Sequence, residues 1–447
     1  MKDRQTESNP TRVPRSTGAN RAGEVRPEWG WVEPSVWTER MLAALQRGVK
    51  GDKWFSLIDK VWRLDNLRAA FARTKANRGK PGVDHVTLEM FESRLDENLE
   101  RLSSSLQDGT YRPQAIRRVW IPKPGSKEKR PLGIPTVRDR VVQGALRQVM
   151  EPIFERDFAE QSYGFRPGRR CQDALGRVDA LLKQGYTWVV DADLRSYFDT
   201  IPHARLMDRI QAKVSDGRVL KLTEQFLEQS VMESARSWTP TKGSPQGAVI
   251  SPLLSNIYLD PLDHKLAAAG VEMIRYADDF VLLCRSETEA REALALAKCW
   301  LDDAGLTLHP EKTRVVDATQ RGGFDFLGYH FERGYRWPRD KSIRALKDAI
   351  RKKTRRANGH SLETIIVDVN HTLRGWFGYF KHSHRTAFPS LDRWVRMRLR
   401  SILRMRHHGK GRGRGNDHFR WPNRYFAKHG LFSLSAARDL ACQSSRR

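Results

Sequence analysis

Tyr276-Ala277-Asp278-Asp279-Phe280 sets two adjacent carboxylates inside an apolar run that continues through Val281-Leu282-Leu283. Strand-forming residues on both sides place the pair at the tip of a β-hairpin within a core. Two buried carboxylates without partners are costly, and like charges side by side resist ionising together. A divalent cation relieves both problems, and Mg²⁺ favours a few carboxylates together with substrate phosphates. The chemistry implied is phosphoryl or nucleotidyl transfer. A surface turn with both aspartates facing water uses the same residues, so the pair needs company.

That company lies upstream. Val189-Val190-Asp191-Ala192-Asp193-Leu194-Arg195-Ser196-Tyr197-Phe198-Asp199 is a β-rich segment ending in a further acidic cluster. Between the two lies Lys242-Gly243-Ser244-Pro245-Gln246-Gly247, followed by an apolar helix beginning at Ser251. A nucleotidyl transferase needs carboxylates on neighbouring strands to hold two ions about 3.5–4 Å apart. Asp193, Asp278 and Asp279 can supply that set for two Mg²⁺ ions, with Mn²⁺ as a substitute. Asp191, two residues earlier on the same strand face, is the competing ligand.

The collinear order Asp-x-x-x-x-Phe, Gly-x-Pro-Gln-Gly and Tyr-Ala-Asp-Asp resembles that of reverse transcriptases, and its wording is similar to the group II intron-encoded reverse transcriptase/maturases. Further matching blocks are Ile121-Pro122-Lys123-Pro124, Lys129 to Thr136, Ser162 to Gly168, Phe326-Leu327-Gly328-Tyr329, and Leu373 to Phe380. The resemblance runs from about Trp54 into the C-terminal tail. It implies an α+β, right-hand polymerase fold: fingers, a palm with an antiparallel sheet, and an all-α thumb or maturase domain. It selects Asp193 over Asp191, because the family places its acid five residues before the aromatic, here Phe198.

Other site residues follow. Lys123 and Arg130 flank a Gly/Lys turn between strands, where a point charge and a planar guanidinium complement a triphosphate. An ordinary basic hairpin has the same composition, and the resemblance favours nucleotide binding. Phe198, next to the metal strand, is large enough to block a 2′-hydroxyl. Pro245 and Gln246 put a rigid turn and an amide near the template or incoming base. Arg166, in a Gly/Pro loop, is expected at the template backbone, with a structural salt bridge as the alternative.

The chain has 447 residues and a formal charge of +27, so its default partner is a polyanion. From Lys341 onward, 26 Lys/Arg stand against 6 Asp/Glu; the preceding residues hold 54 against 47. A solvated surface would mix its signs, so the last quarter is read as nucleic-acid binding. The N-terminus lacks the apolar core of a signal peptide, and no apolar run is long enough for a membrane span. Four cysteines without a Cys-x-x-Cys pair suggest neither a disulfide framework nor a structural zinc site. The expected location is the bacterial cytoplasm, on the nucleoid when DNA is bound. Paired cysteines of the zinc-stabilised endonuclease common in related intron proteins are missing. His407-His408 and Asn416-Asp417-His418 are better read as part of a basic Gly/Arg loop than as a His-Asn-His nuclease.

Along the chain, residues 1–35 read as a disordered polar tail. Residues 36–118 form an N-terminal extension and fingers, with Trp37, Met41, Leu45 and Val49 at helical spacing and Asp84 in a turn. Residues 119–335 alternate strands and helices as fingers and palm, with Asp199 or Thr200 capping a helix after Pro202. Residues 341–405 carry three apolar stripes of a helical bundle. On its third helix, Arg393, Arg396, Arg400 and Arg404 lie off the stripe and are candidates for RNA contact. Residues 406–447 form a basic nucleic-acid-binding segment.

The resemblance implies an RNA-directed DNA polymerase that uses dNTPs, an RNA template and a DNA primer. It also implies binding of its group II intron RNA, help in splicing, and retrohoming into a DNA target. The alternatives are a related bacterial reverse transcriptase in phage defence or diversification, a silent RNA-binding splicing factor, and an RNA-templated RNA polymerase. The maturase-like helices oppose the first, the intact acids the second, and Phe198 the third.

Overall fold

The computed structural model describes residues 29–122, 129–234 and 236–444. Its strands, in chain order, are β1 (Ile116–Pro122), β2 (Lys129–Ile134), β3 (Trp188–Asp193), β4 (Val231–Glu233), β5 (Arg236–Trp238), β6 (Glu272–Tyr276), β7 (Asp279–Cys284), β8 (Arg314–Asp317), β9 (Phe324–Phe326), β10 (Tyr329–Glu332) and β11 (Tyr335–Pro338). They form three sheets, ordered β2-β1-β4-β5, β6-β7-β3-β8 and β11-β10-β9.

The middle sheet is the palm. All its pairings are antiparallel, and β3 runs between β7 and β8. Alternation along a strand sends successive side chains to opposite faces. Val190, Ala192, Phe280 and Leu282 therefore meet the core that includes the helix Ser251–Ala268. Val189, Val281 and Leu283 meet a second core with the helix Cys171–Lys183 and the aromatics of β9 and β10. By the same parity Asp191, Asp193 and Asp279 share the second face, with Asp193 and Asp279 at the ends of their strands. The α+β right-hand architecture expected from the sequence is present.

In the fingers, the helices Leu64–Ala76 and Val137–Glu155 cross closely. A Cβ added to Gly144 would lie 3.1 Å from that of Ala70, so a small residue is needed there. Trp29 and Val32 are buried against this part of the molecule. The polar tail expected through residue 35 thus gives way to packed structure by Trp29, because two large apolar side chains find a core that local composition does not reveal.

The three C-terminal stripes form the helices Asp340–Lys353, Leu362–Phe380 and Ala387–Arg406. Leu346, Ile350, Ile365, Val369, Leu373, Leu391, Val395 and Leu399 fill their common seam. Each such fully buried aliphatic side chain contributes about 1.5–3 kcal/mol. Two reciprocal hydrogen bonds tie the bundle to β10 and the turn before it: Tyr379 Oη donates to the Leu327 carbonyl (2.7 Å), and Tyr329 Oη to the Tyr379 carbonyl (2.6 Å). The following segment folds back. Trp421, Phe426 and Leu434 join the bundle core, and Asp392 accepts N–H bonds from Leu434 and Ser435 at 2.9 and 3.0 Å. Its residues are therefore part of the bundle rather than a separate basic extension.

Candidate active site

The palm hairpin turns tightly: Tyr276 pairs with Asp279, leaving Ala277 and Asp278 as the two loop residues. Ala277 takes φ +62°, a left-handed conformation unusual for alanine. Neighbours over-determine it. Arg275 is fully buried, bonding Asp263 through Nε (2.7 Å) and reaching the Asn256 side chain (3.0 Å) and the Ala277 carbonyl (2.9 Å). From the outside, the Ser162–Gly164 segment runs alongside β6, with Tyr163 N–H on the Arg275 carbonyl. Gly164 presses against the turn so closely that any Cβ would collide with the Ala277 nitrogen. Arg275, Asp263 and Asn256 are positioning residues that the sequence reading did not single out. The signal available was an arginine inside an otherwise apolar strand, with a carboxylate on a buried helix.

Asp193 on β3 lies directly opposite Asp279 on β7, and Asp278 precedes it at the turn. Burial raises the Asp279 carboxyl to about 7, reinforced by Asp191, Asp278 and Asp193. Asp278 is raised by burial and then by Asp193; Asp191 is raised by burial, opposed by Arg314. Existing cations already engage part of the set. Lys312 Nζ sits 2.6 Å from Asp193 Oδ2, and Arg314 Nε 3.3 Å from Asp191 Oδ2. Among the described residues no three His, Cys, Asp or Glu side chains are arranged as a metal cage. The donors are nonetheless all oxygen, and their mutual repulsion is what a divalent cation would remove. The chemistry of the residues fits Mg²⁺.

Phe198 and Pro245 line one cleft of about 480 Å³, together with Arg118, Trp120, Trp238 and Lys242; Asp193, Asp278 and Asp279 are not among its lining residues. Phe198 is half-buried and edge-on to Tyr197, whose hydroxyl donates to the Ser255 carbonyl. Gln246 fixes the floor through its backbone: its carbonyl accepts Gly133 N–H at 2.7 Å. Gly247, at φ +113°, has no room for a Cβ against the Gly133 carbonyl. Arg130 is exposed on β2 opposite Ile121, while Lys123 lies outside the described residues. Arg118 is a basic cleft residue that the sequence reading passed over, and Lys242, quoted there in its motif, was given no role. Asp199 and Thr200 do not cap the next helix: Pro202 occupies the N-cap of His203–Gln211, and Thr200 Oγ1 bonds back to the Tyr197 carbonyl.

Arg166 is corrected. Its guanidinium is buried, bonding Glu155 (2.7 and 2.9 Å) and the Ala159 and Ser162 carbonyls. With its donors facing inward it braces a loop and does not face a template. Two of the four bundle arginines are corrected similarly. Arg400 is buried, donating to the Trp421 carbonyl (2.9 Å) and the Asn423 side chain (2.8 Å), and Arg404 pairs with Asp417 at 2.7 Å. Arg393 is exposed and Arg396 half-buried. The His407 ring is tilted against that of Trp421 at 5.5 Å between centroids, and Asp417 pairs with Arg404.

Residues 121–331 match the family described as reverse transcriptase (RNA-dependent DNA polymerase). Residues 343–421 match the maturase-specific domain of group II introns. The fold is that of the reverse transcriptase class. Protein YkfC of Escherichia coli (strain K12) is 34% identical over 345 residues, covering 68% of this chain and 86% of that protein. The group II intron-encoded protein LtrA of Lactococcus lactis subsp. cremoris is 38% identical over 203 residues, 45% of this chain and 33% of LtrA. An uncharacterized 91 kDa protein in the cob intron of Schizosaccharomyces pombe is 30% identical over 315 residues, 57% of this chain and 38% of its own length. The matches thus span most of YkfC but well under half of these two intron relatives. The chain belongs to the group II intron reverse transcriptase/maturase family. No helix among the described residues is long and apolar enough to cross a membrane.

Proposed function

We propose that this chain copies RNA into DNA from a primer and holds a group II intron RNA, assisting its splicing and its mobility into a DNA target. The observation that carries the first part is the register of Asp193 against Asp279, with Asp278 at the adjoining turn. Asp193, Asp278 and Asp279 would hold two Mg²⁺ ions, whose chemistry when bound would be to lower the pKa of a primer 3′-hydroxyl and to offset the charge of a triphosphate. Arg130, with Lys123, orients the dNTP phosphates; Phe198 excludes a 2′-hydroxyl; Pro245 and Gln246 shape the floor under the base pair. Arg275 and Asp263 hold the acidic turn in its left-handed conformation. In the bundle, Arg393 and Arg396 are the arginines available to RNA phosphates.

Primer extension on an RNA template tests the reading. Asp278→Ala or Asp193→Ala should reduce extension by about 10³-fold or more, with folding and RNA affinity retained. Near-normal extension by either variant rejects the ligand set. Loss with Asp191→Ala instead moves the ligand to the neighbouring acid.

A further inference from the structure

The helix Ser251–Ala268 holds more than the acidic turn. Through Asp263 and Asn256 it fixes Arg275 and hence Ala277, and at its start it reaches the loop that floors the cleft. Ser251, its first residue, is 2% exposed, and so is Ser244. The Ser251 hydroxyl donates to the Pro245 carbonyl at 2.9 Å, and the Ser244 hydroxyl donates to Ser251 Oγ at 2.7 Å. A serine hydroxyl carries one proton. With that of Ser251 committed to Pro245, the relay runs one way, from Ser244 to Ser251 to Pro245.

The start of this relay grips the segment that carries Phe198. Ser244 N–H donates to the Phe198 carbonyl at 2.6 Å, and Gly243 N–H to the Ile201 carbonyl at 2.8 Å. The two backbones touch: a Cβ on Gly243 would lie 2.8 Å from the Phe198 carbonyl oxygen. One helical turn beyond Ser251, the Ser255 carbonyl accepts the hydroxyl of Tyr197, the neighbour of Phe198. Phe198 on one wall and Pro245 on the floor are therefore fixed to one helix by buried polar contacts. Ser244 and both of those residues line the cleft, whereas Ser251 does not. Discrimination against a single hydroxyl depends on small differences in room, so whatever sets the spacing of wall and floor also sets the selection. Without the Ser251 hydroxyl, the Pro245 carbonyl and the Ser244 hydroxyl lose their buried partner, and the loop must shift to find others.

We infer that Ser251 is a positioning residue for sugar selection: through the relay it sets the spacing between Phe198 and the floor at Pro245, and so the room left for a 2′-hydroxyl. The inference rests on the reading of Phe198 as the group that excludes that hydroxyl. Ser251 acts through the backbone that Ser244 and Pro245 share with the cleft, without lining the cleft itself.

Single-nucleotide primer extension on an RNA template tests this in the full chain, with kcat and KM measured separately for dNTP and rNTP and melting temperature as a second readout. Ser251→Ala should raise the ratio of ribonucleotide to deoxyribonucleotide kcat/KM by about threefold to fivefold, mainly by lowering the ribonucleotide KM. Ser244→Ala should raise it by about twofold, because Pro245 keeps its donor. If Ser251→Ala does not fold, Ser244→Ala carries the same test with its smaller rise. Phe198→Ala with Ser251→Ala should show the ratio of Phe198→Ala alone, since the serine acts through the placement of that ring. Thr223→Ala removes another buried hydroxyl, bonded to the Val219 carbonyl within Gly217–Leu227, and should lower the melting temperature without moving the ratio. An unchanged ratio in the serine variants, while Phe198→Ala raises it, overturns the relay and leaves the role of Phe198 standing. An equal rise in Thr223→Ala, or rises that multiply in the double variant, also overturns the relay. An unchanged ratio in Phe198→Ala itself rejects the reading of Phe198, and the role of Ser251 falls with it.

Discussion

In the palm, one arginine is sealed in the core against one aspartate, and the acids beside that pair point to the open end of the sheet. In the C-terminal bundle the arrangement is reversed: basic residues outnumber acids about fourfold, yet Arg400 and Arg404 turn inward onto carbonyls, an amide and a carboxylate. In the palm, the charge proposed to do chemistry is held by charge that is wholly internal. In the bundle, part of what looks like a binding surface is internal scaffolding. Net charge of a region therefore identifies the class of partner, but not which residues reach it.

The sharpest way to break this contrast is to remove the sealed palm pair. Arg275→Met leaves Asp263 buried without its cation and releases the Ala277 carbonyl, so stability should fall by about 3–5 kcal/mol. Denaturant unfolding measures it. Arg275→Met with Asp263→Leu should regain most of the stability but little of the primer extension, because the turn loses its brace. Full recovery of extension in the double variant would show that the turn holds its shape unaided.

The bundle offers the complementary case. Arg400→Ala should destabilise by about 2 kcal/mol through loss of its charge-assisted hydrogen bonds, with the RNA salt slope nearly unchanged. Arg393→Ala should stay within about 0.5 kcal/mol in stability and flatten that slope by about 0.7–0.9. If both residues behave alike in both measurements, the division between internal and external arginines fails.

Phe198→Ala bears on the cleft. The ring is half-buried and lines the space beside Pro245, so truncation should raise ribonucleotide use relative to deoxyribonucleotide use by about tenfold. Its stability cost should be no more than about 1–2 kcal/mol. An unchanged ratio with intact folding makes Phe198 a packing residue.

These contrasts also explain what was legible in the chain. Asp278-Asp279 was readable from local pattern, because adjacent acids between two strand-forming runs fit a hairpin tip; Asp193 was preferred to Asp191 only through the family resemblance, since alternation puts both on one strand face. The three bundle helices were readable from their apolar stripes. Arg400 was not, because helical phase reports where a Cα points, while a long arginine can fold back along the surface to a carbonyl from a segment 21 residues away. For Arg166 a structural salt bridge stood as the alternative, and local sequence could not decide because its acceptor Glu155 lies on another element. Trp29 and Val32 needed a core contributed by distant helices. Each miss is a long-range contact with no local signature.

The smallest effect concerns Lys312, which with Arg314 makes the palm acids resemble the bundle arginines in being occupied by protein. Lys312 and Asp193 are 60% and 38% exposed, so their 2.6 Å pair is screened by water, and Lys312→Ala should change stability by no more than about 1 kcal/mol. Its consequence for metal is more telling than its consequence for folding. An ion binding at Asp193 must share that carboxylate with, or displace, an ammonium group already there. Removing the ammonium should therefore tighten Mg²⁺ or Mn²⁺ binding, measured calorimetrically without nucleotide or primer, by up to about fivefold. Asp193→Ala should weaken it, and Asp193→Ala with Lys312→Ala should match Asp193→Ala alone, since the lysine acts only through that carboxylate. Weaker metal binding in Lys312→Ala would mean that the lysine orients Asp193 toward the ion instead of competing with it, and the palm carboxylates would then depend on the same kind of internal bracing as the bundle.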